Sequence, residues 1–274
     1  MTMEKIMRSI IYVDCAKEEY RIKLHYWLYH THVPESISQF QPYVSKYAFY
    51  ECLPVPDGGE NYGTIHKQLT EHYWQANPMD ASMAVKVFTE TFPTDVLIWQ
   101  KNLPESSAEQ NFEGDDARAT KVSGCNPFIF AFIPMSWEED FKGTGRTTVD
   151  GPNYRWNFSI GYPEGVSIEE GDKWFYEQFV PAFQAMPEVT RMVSSKIIKD
   201  INGCPMDRMV EIWFDGPEEW ATAMEAAKKI AKPAWAQTDT FPYLTPYQNI
   251  MGGFVTDYVT SDNLTSYHGY ITMR

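Results

Sequence analysis

The sequence predicts an α+β protein made of two β-α-β-β-α-β units in tandem. Three observations carry this expectation. Strand-length apolar runs and helical stretches follow one another in the same order twice. Short motifs recur at nearly constant separation. The 274 residues suffice for two modest units, each with a core of its own.

The recurrence runs through most of the chain. Trp27-Leu28-Tyr29, followed by Val33-Pro34, returns as Trp174-Phe175-Tyr176 and Val180-Pro181, 147 residues later. Pro42 to Lys46 returns as Pro187 to Arg191, 145 residues later. Leu69 to Trp74 parallels Met209 to Phe214, and a proline follows each, Pro78 and Pro217. Phe128 to Ile133 resembles Ile250 to Val255 at a separation of 122. The shorter separation puts an insertion in the first copy. The polar stretch 100–124, with Pro104, Ser106 and Gly114, reads as that loop. The expected division is 1–140, 150–260 and a tail, 261–274.

In the first unit, Ser9 to Val13 is a compact strand, and Lys17 to Tyr29 suits a helix with Ile22, Tyr26 and Tyr29 at helical spacing. Val44 to Cys52 and Gln68 to Trp74 are the middle strands. Alternation puts Thr70, His72 and Trp74 on one face of the latter, opposite Glu71 and Tyr73. Asn77-Pro78 opens a second helix carrying Met83, Ala84, Val87 and Phe88, and Phe128 to Ile133 closes the unit. In the second unit the strands are Tyr154 to Ile160, Val189 to Ile198, Arg208 to Phe214, and one within Ile250 to Val259. Its helices are Glu169 to Phe183 and one opened by Gly216-Pro217-Glu218-Glu219. There proline fits the first turn and the acids meet the positive end of the dipole. Trp220, Ala223, Met224, Ala227 and Ile230 are that helix's buried stripe.

Each such unit leaves one sheet face uncovered. Two units bury those faces against each other at about 25 cal/mol per Å². The expected architecture is therefore two ferredoxin-like units packed as a closed, barrel-like pair within one chain.

Composition narrows the function. With 37 acidic against 23 basic residues, formal net charge is -14, and no basic stripe is present to track a nucleic-acid backbone. Aromatic residues are 15% of the chain, which suits aromatic-lined cavities. The cysteines Cys15, Cys52, Cys125 and Cys204 are scattered and form no metal or disulfide pattern. The run Ile10 to Val13 is too short for a signal peptide or membrane span, so a cytoplasmic protein is expected. Glu138-Glu139-Asp140 reads as a solvated loop and Gly143 to Arg146 as a linker. Glu71 and Glu211, present in both copies, read as structural.

The run Val210-Glu211-Ile212-Trp213-Phe214-Asp215, with Pro217-Glu218 and a helix after it, resembles the third strand and second helix of EthD-type proteins, in the dimeric α/β-barrel superfamily. Tyr26-Trp27 through His32-Val33-Pro34 resembles that family's first helix, which carries a Trp and then His-x-Pro. Here the Trp-to-His spacing is one residue longer, which predicts an irregular helix end. In the second copy Glu177 and Phe179 stand where the first has His30 and His32. The resemblance implies this fold and places any chemistry in the first copy. Fold alone does not set the reaction.

Five of the six histidines lie in the first copy: His25, His30, His32, His66 and His72. His32 is the candidate acid/base, because imidazole titrates near neutrality. His72 and Tyr29 are candidates to polarise a carbonyl, and His25, His30, Trp27 and Trp74 to line the pocket. The expected function is a cofactor-independent isomerase or lyase acting on a small aromatic or cyclic carbonyl compound, with no metal. A homodimer is left open. Two rivals stand beside it. One is a non-catalytic protein holding an apolar ligand. The other is a haem- or metal-dependent oxygenase, in which His30, His32 and His72 would be ligands.

Overall fold

A computed structural model describes residues 8–15, 18, 21–34, 37, 44–74, 128–143, 153–199 and 204–264. The expected second helix of the first unit, the 100–124 insertion, Cys125, the linker beyond Gly143 and the tail beyond Leu264 lie outside these residues.

The strands are β1 (Arg8–Cys15), β2 (Val44–Glu51), β3 (Gln68–Trp74), β4 (Phe128–Lys142), β5 (Tyr154–Ile160), β6 (Arg191–Ile197), β7 (Arg208–Phe214), β8 (Ile250–Val255) and β9 (Ser261–Asp262). Among the described residues they form one antiparallel sheet in the order β8-β5-β7-β6-β4-β1-β3-β2-β9. Helix α1 (Arg21–Trp27) runs into a π-helical turn, Leu28–His32. Helix α2 (Ile168–Trp174) runs into another, Phe175–Phe179, and then α3 (Val180–Ala185). Helix α4 (Pro217–Ala227) follows β7. The protein is thus an α+β protein of ferredoxin-like type.

The pairings repeat. Ile10 and Ala48 flank Glu71 across β1, β3 and β2, and Asn157 and Val193 flank Glu211 across β5, β7 and β6. On the far side of β1, Ile10 faces Ile133, whereas Asn157 faces Gly253. The last strands therefore correspond two residues away from the match read in the sequence, on the same face. The outer edge of β8 does not end in solvent. Leu53 N–H donates to Phe254 O at 2.7 Å, Ile65 N–H to Gly252 O at 2.7 Å, and Gly252 N–H to Gly63 O at 3.1 Å. The chain leaving β2 thus satisfies the edge at the opposite end of the strand order. At Gly252 a Cβ would lie 2.3 Å from Asn157 O, so only glycine permits this approach.

Two layers of core result. Helices α2 to α4 cover one face of β5–β8, with Trp156, Phe158, Ile212 and Phe214 buried against Phe175, Phe179 and Trp220. The enclosed face joins residues of both halves, among them Ile10, Tyr12, Leu69 and Ile133 with Met209, Met251 and Val255. Charges are buried there too. Arg8 donates through Nη1 to Glu71 Oε1 at 3.1 Å and through Nη2 to Glu211 Oε2. Arg155 Nη1 and Asn157 Nδ2 donate to Glu211 Oε1 at 3.2 and 2.8 Å. Tyr12 donates to Asn157 Oδ1 at 2.6 Å. Lys46 and Tyr50 donate to Glu71 Oε2 at 2.9 and 2.8 Å.

Two expectations are corrected. The Ile22, Tyr26 and Tyr29 row of α1 is exposed, while Leu28 and Val33 are buried. A π-turn bonds residues five apart, so it brings Leu28 and Val33 to one face. Glu138 to Asp140 is not a loop but part of β4, paired with Ser195, Ser194 and Val193 of β6. Strand alternation sends the neighbouring carboxylates apart, Glu138 to Arg8 and Glu139 to Arg208. The tail begins as β9 on β2 of its own chain, Phe49 facing Ser261.

Burial alone would raise the Glu71 pKa, but Arg8, Arg155 and Lys46 overcome it and hold the carboxyl down at about 2. The unfolded value lies near about 4.3. This stabilisation is therefore complete above that value and is lost as pH falls toward 2. Urea unfolding between pH 5 and 2 is expected to show it, with a shallower acid limb in Glu71→Gln. Glu211→Ala strips a partner from both Arg8 and Arg155, and is expected to cost about 3–5 kcal/mol in the same measurement at pH 7.

Candidate active site

The outward face of β1, β3 and β2 differs from the matching face of the second half. Across the first three strands the aligned residues are Ser9, His72 and Tyr47. Across β5, β7 and β6 they are Trp156, Ile212 and Met192. The second set is apolar and filled by helices. The first is polar, and all three of its residues are fully buried.

Strand order and alternation build the site. Trp74 Nε1 donates to Ser9 Oγ at 3.1 Å, and Ser9 Oγ lies 3.4 Å from His72 Nδ1. With the indole proton occupying one serine lone pair, the serine hydroxyl can donate to Nδ1 and leave the ring proton on Nε2. The imidazole stacks on Tyr47 at 4.5 Å and lies 5.9 Å from Trp74. Tyr47 meets Phe49 edge-on at 5.5 Å, and Phe49 meets Tyr29 at 5.5 Å. Rings thus run without a break from the helix to the far strand.

Of the residues singled out in the sequence, the fold brings Tyr29, His72 and Trp74 into this row. His30 does not join it: it is exposed and stacks on Tyr26 at 4.4 Å. His25 stands edge-on to Tyr29 at 6.3 Å. Its pKa is lowered first by partial burial and then by Arg21, with Glu51 opposing. His32 closes the π-turn and Trp27 closes α1; their side chains lie outside the described part. Ser9, Tyr47 and Phe49 were missed. Comparing the two copies strand by strand could have found Ser9, since a serine stands where the other copy has a tryptophan.

The described residues hold no group of three His, Cys, Asp or Glu side chains able to bind a metal. In the second half Tyr176 takes the place of Tyr29, but it donates to Glu139 at 2.7 Å and accepts from Arg208 Nη2 at 2.6 Å. Arg208 also holds Asp172 through Nε at 2.7 Å and Nη2 at 2.8 Å. A charged cluster thus stands at the corresponding place.

The family model of the chalcone isomerase N-terminal domain matches residues 4–105, well under half of the chain. No curated protein matches. Among solved structures, an anthrone oxidase-like protein is similar at 10% identity and TM-score 0.48, over 94% of this chain and 93% of its own. A mutant chlorite dismutase from Candidatus Nitrospira defluvii is similar at 6% identity and TM-score 0.47, over 95% and 92%. A haem-binding protein from Thermus thermophilus is similar at 9% identity and TM-score 0.37, over 97% and 96%. These three likenesses carry no inference about activity. No helix among the described residues is long and apolar enough to cross a membrane.

An NMR titration is expected to place His25 below the usual value of about 6.5. Arg21→Gln should move it upward. A value at or above 6.5 in the parent protein would contradict the surroundings described.

Proposed function

We propose that the chain is a cofactor-independent isomerase acting on a small aromatic enone of the chalcone class. In this reading it is built from two copies of one EthD-like unit packed as a barrel, and only the N-terminal copy carries the site. The observation that carries the reading is the buried polar row Ser9–His72–Tyr47 where the other half has Trp156–Ile212–Met192. The match to the chalcone isomerase N-terminal domain supports it, since residues 4–105 include Tyr29, His32, His72 and Trp74. It also favours isomerase over lyase.

The chemistry requires two proton transfers and one ring closure, in which a C–O bond forms as the C=C π bond of the enone is lost. A base takes the proton of a phenol on the substrate. The oxygen adds to the far carbon of the conjugated double bond, a C–O bond forms, and a proton returns to the carbon beside the carbonyl. Atoms and electrons balance with no oxidant. His32 is assigned the proton transfers, because an imidazole near neutrality can both accept and return one. His72, held by Ser9 and stacked on Tyr47, is assigned to the substrate carbonyl. Tyr29, Phe49 and Trp74 offer aromatic surface to a flat substrate.

The test is turnover of a 2′-hydroxychalcone, followed as loss of enone absorbance. His32→Ala is expected to slow it by about 100- to 10,000-fold. His72→Ile, which copies the residue of the other half, is expected to lower activity while the urea midpoint stays close to the parent's. A fully active His32→Ala, or no turnover of any aryl enone, would refute the reading. Bound metal or haem in the purified protein, lost in His32→Ala, would replace it with a ligand role for that histidine.

A further inference from the structure

On the enclosed side of the sheet a cavity of about 230 Å³ opens between the halves, with walls that are mostly polar. It is separate from the proposed isomerase face. Glu71 and Tyr73 line it, while His72 and Trp74, next to them on β3, face the other way.

Four cations line this cavity in two related pairs. Arg8 and Arg155 hold equivalent places on β1 and β5, and Lys46 and Arg191 on β2 and β6. Lys46 lies over the Tyr73 ring and Arg191 over the Trp213 ring, each 4.9 Å from the centroid. Glu71, Glu138 and Asp257 line it too, with Glu211 bonded to Arg8 and Arg155, and the two buried glutamates are well supplied with donors. Glu71 and Glu211 each receive hydrogen bonds on both oxygens. Asp257 Oδ2 accepts from Asn153 and Trp213 at 2.9 and 2.8 Å, and Glu138 is paired with Arg8.

Arg155 Nε is ion-paired with Asp257 Oδ1 at 3.4 Å, but two guanidinium N–H groups of the second half are left over. Arg155 is buried to 4% exposure, yet its Nη2 has no hydrogen-bond partner among the described residues. Arg191 Nε has none either, although its charge acts on Glu138 nearby. A buried guanidinium N–H without an acceptor costs free energy that an incoming acceptor recovers. The volume lies below the roughly 300–1,000 Å³ of drug-sized pockets, so the occupant is small.

We propose that this cavity binds a small oxyanion, a carboxylate or an inorganic tetrahedral anion, between Arg155 and Arg191 of the C-terminal half and Lys46 of the N-terminal half. The anion supplies acceptors to Arg155 Nη2 and Arg191 Nε, which the neighbouring carboxylates leave without a hydrogen bond. Because it meets both halves, its binding stabilises their association.

Calorimetric titration of the full chain at low ionic strength, with sodium sulfate in one arm and sodium benzoate in the other, tests this. One anion per chain is expected in at least one arm. Sulfate alone would mark an inorganic ligand, and tighter benzoate an organic acid. Arg191→Met is expected to weaken binding about tenfold or more, and Lys229→Met, which removes an exposed charge on the far side of the second half, to leave it unchanged. Should Arg191→Met unfold, Arg191→Lys keeps the charge, loses the planar fork, and is expected to weaken binding severalfold. No heat with either anion, or equal weakening by Arg191→Met and Lys229→Met, overturns the proposal. Neither result depends on whether the chain isomerises an enone.

Discussion

Arg8 is the constraint on which the rest of the structure depends. Its guanidinium bonds a glutamate from each half, Glu71 on β3 and Glu211 on β7, inside the enclosed layer. Burial works against its charge, and Glu211 and Glu71 more than offset that, holding its pKa well above the usual value. Ions taken out of water need several well-placed partners, and here no half supplies them alone. Tyr12 to Asn157 adds a neutral bond across the same divide. A shift of one residue in β3 or β7 would turn its glutamate to the outer face, so the network and the strand register specify each other.

Away from this network, the outer faces of β1–β3 and of β5–β8 differ. In the second half apolar side chains from α2 to α4, many of them aromatic, cover most of the face. In the first half Ser9, His72 and Tyr47 occupy the matching row. Burying such groups costs free energy unless they are bonded. Trp74 to Ser9 and the ring stack on His72 provide part of that compensation. That polarity makes this face poorer as a core and is the feature on which the proposed function rests.

Much of the plan was legible in the residues. Gln68 to Trp74 and Arg208 to Phe214 are the strands their alternation implies, with Glu71 and Tyr73 opposed to His72 and Trp74. Helix α4 begins at Pro217 and buries Trp220, Ala223, Met224 and Ala227, because proline and period leave it few alternatives. The extra residue between Trp27 and His32 pointed to an irregular helix end, and a π-helical turn lies there. Which face of α1 turns inward was not legible. Two apolar rows compete, and the π-turn that lets Leu28 and Val33 coincide is a tertiary choice. Glu138 to Asp140 was misread because a charge run has no partner until β6 and Arg208 are in place.

By itself, then, the sequence determined the central strands, the start of α4 and the two faces of β3, since these depend on periodicity and on backbone chemistry within a few residues. Only the tertiary structure decided that Arg8 reaches Glu211, that Ser9 lies beside His72, and that the edge of β8 is met by the chain after β2. Those contacts join residues far apart in the chain. Their energies depend on burial and on partners that no local pattern specifies.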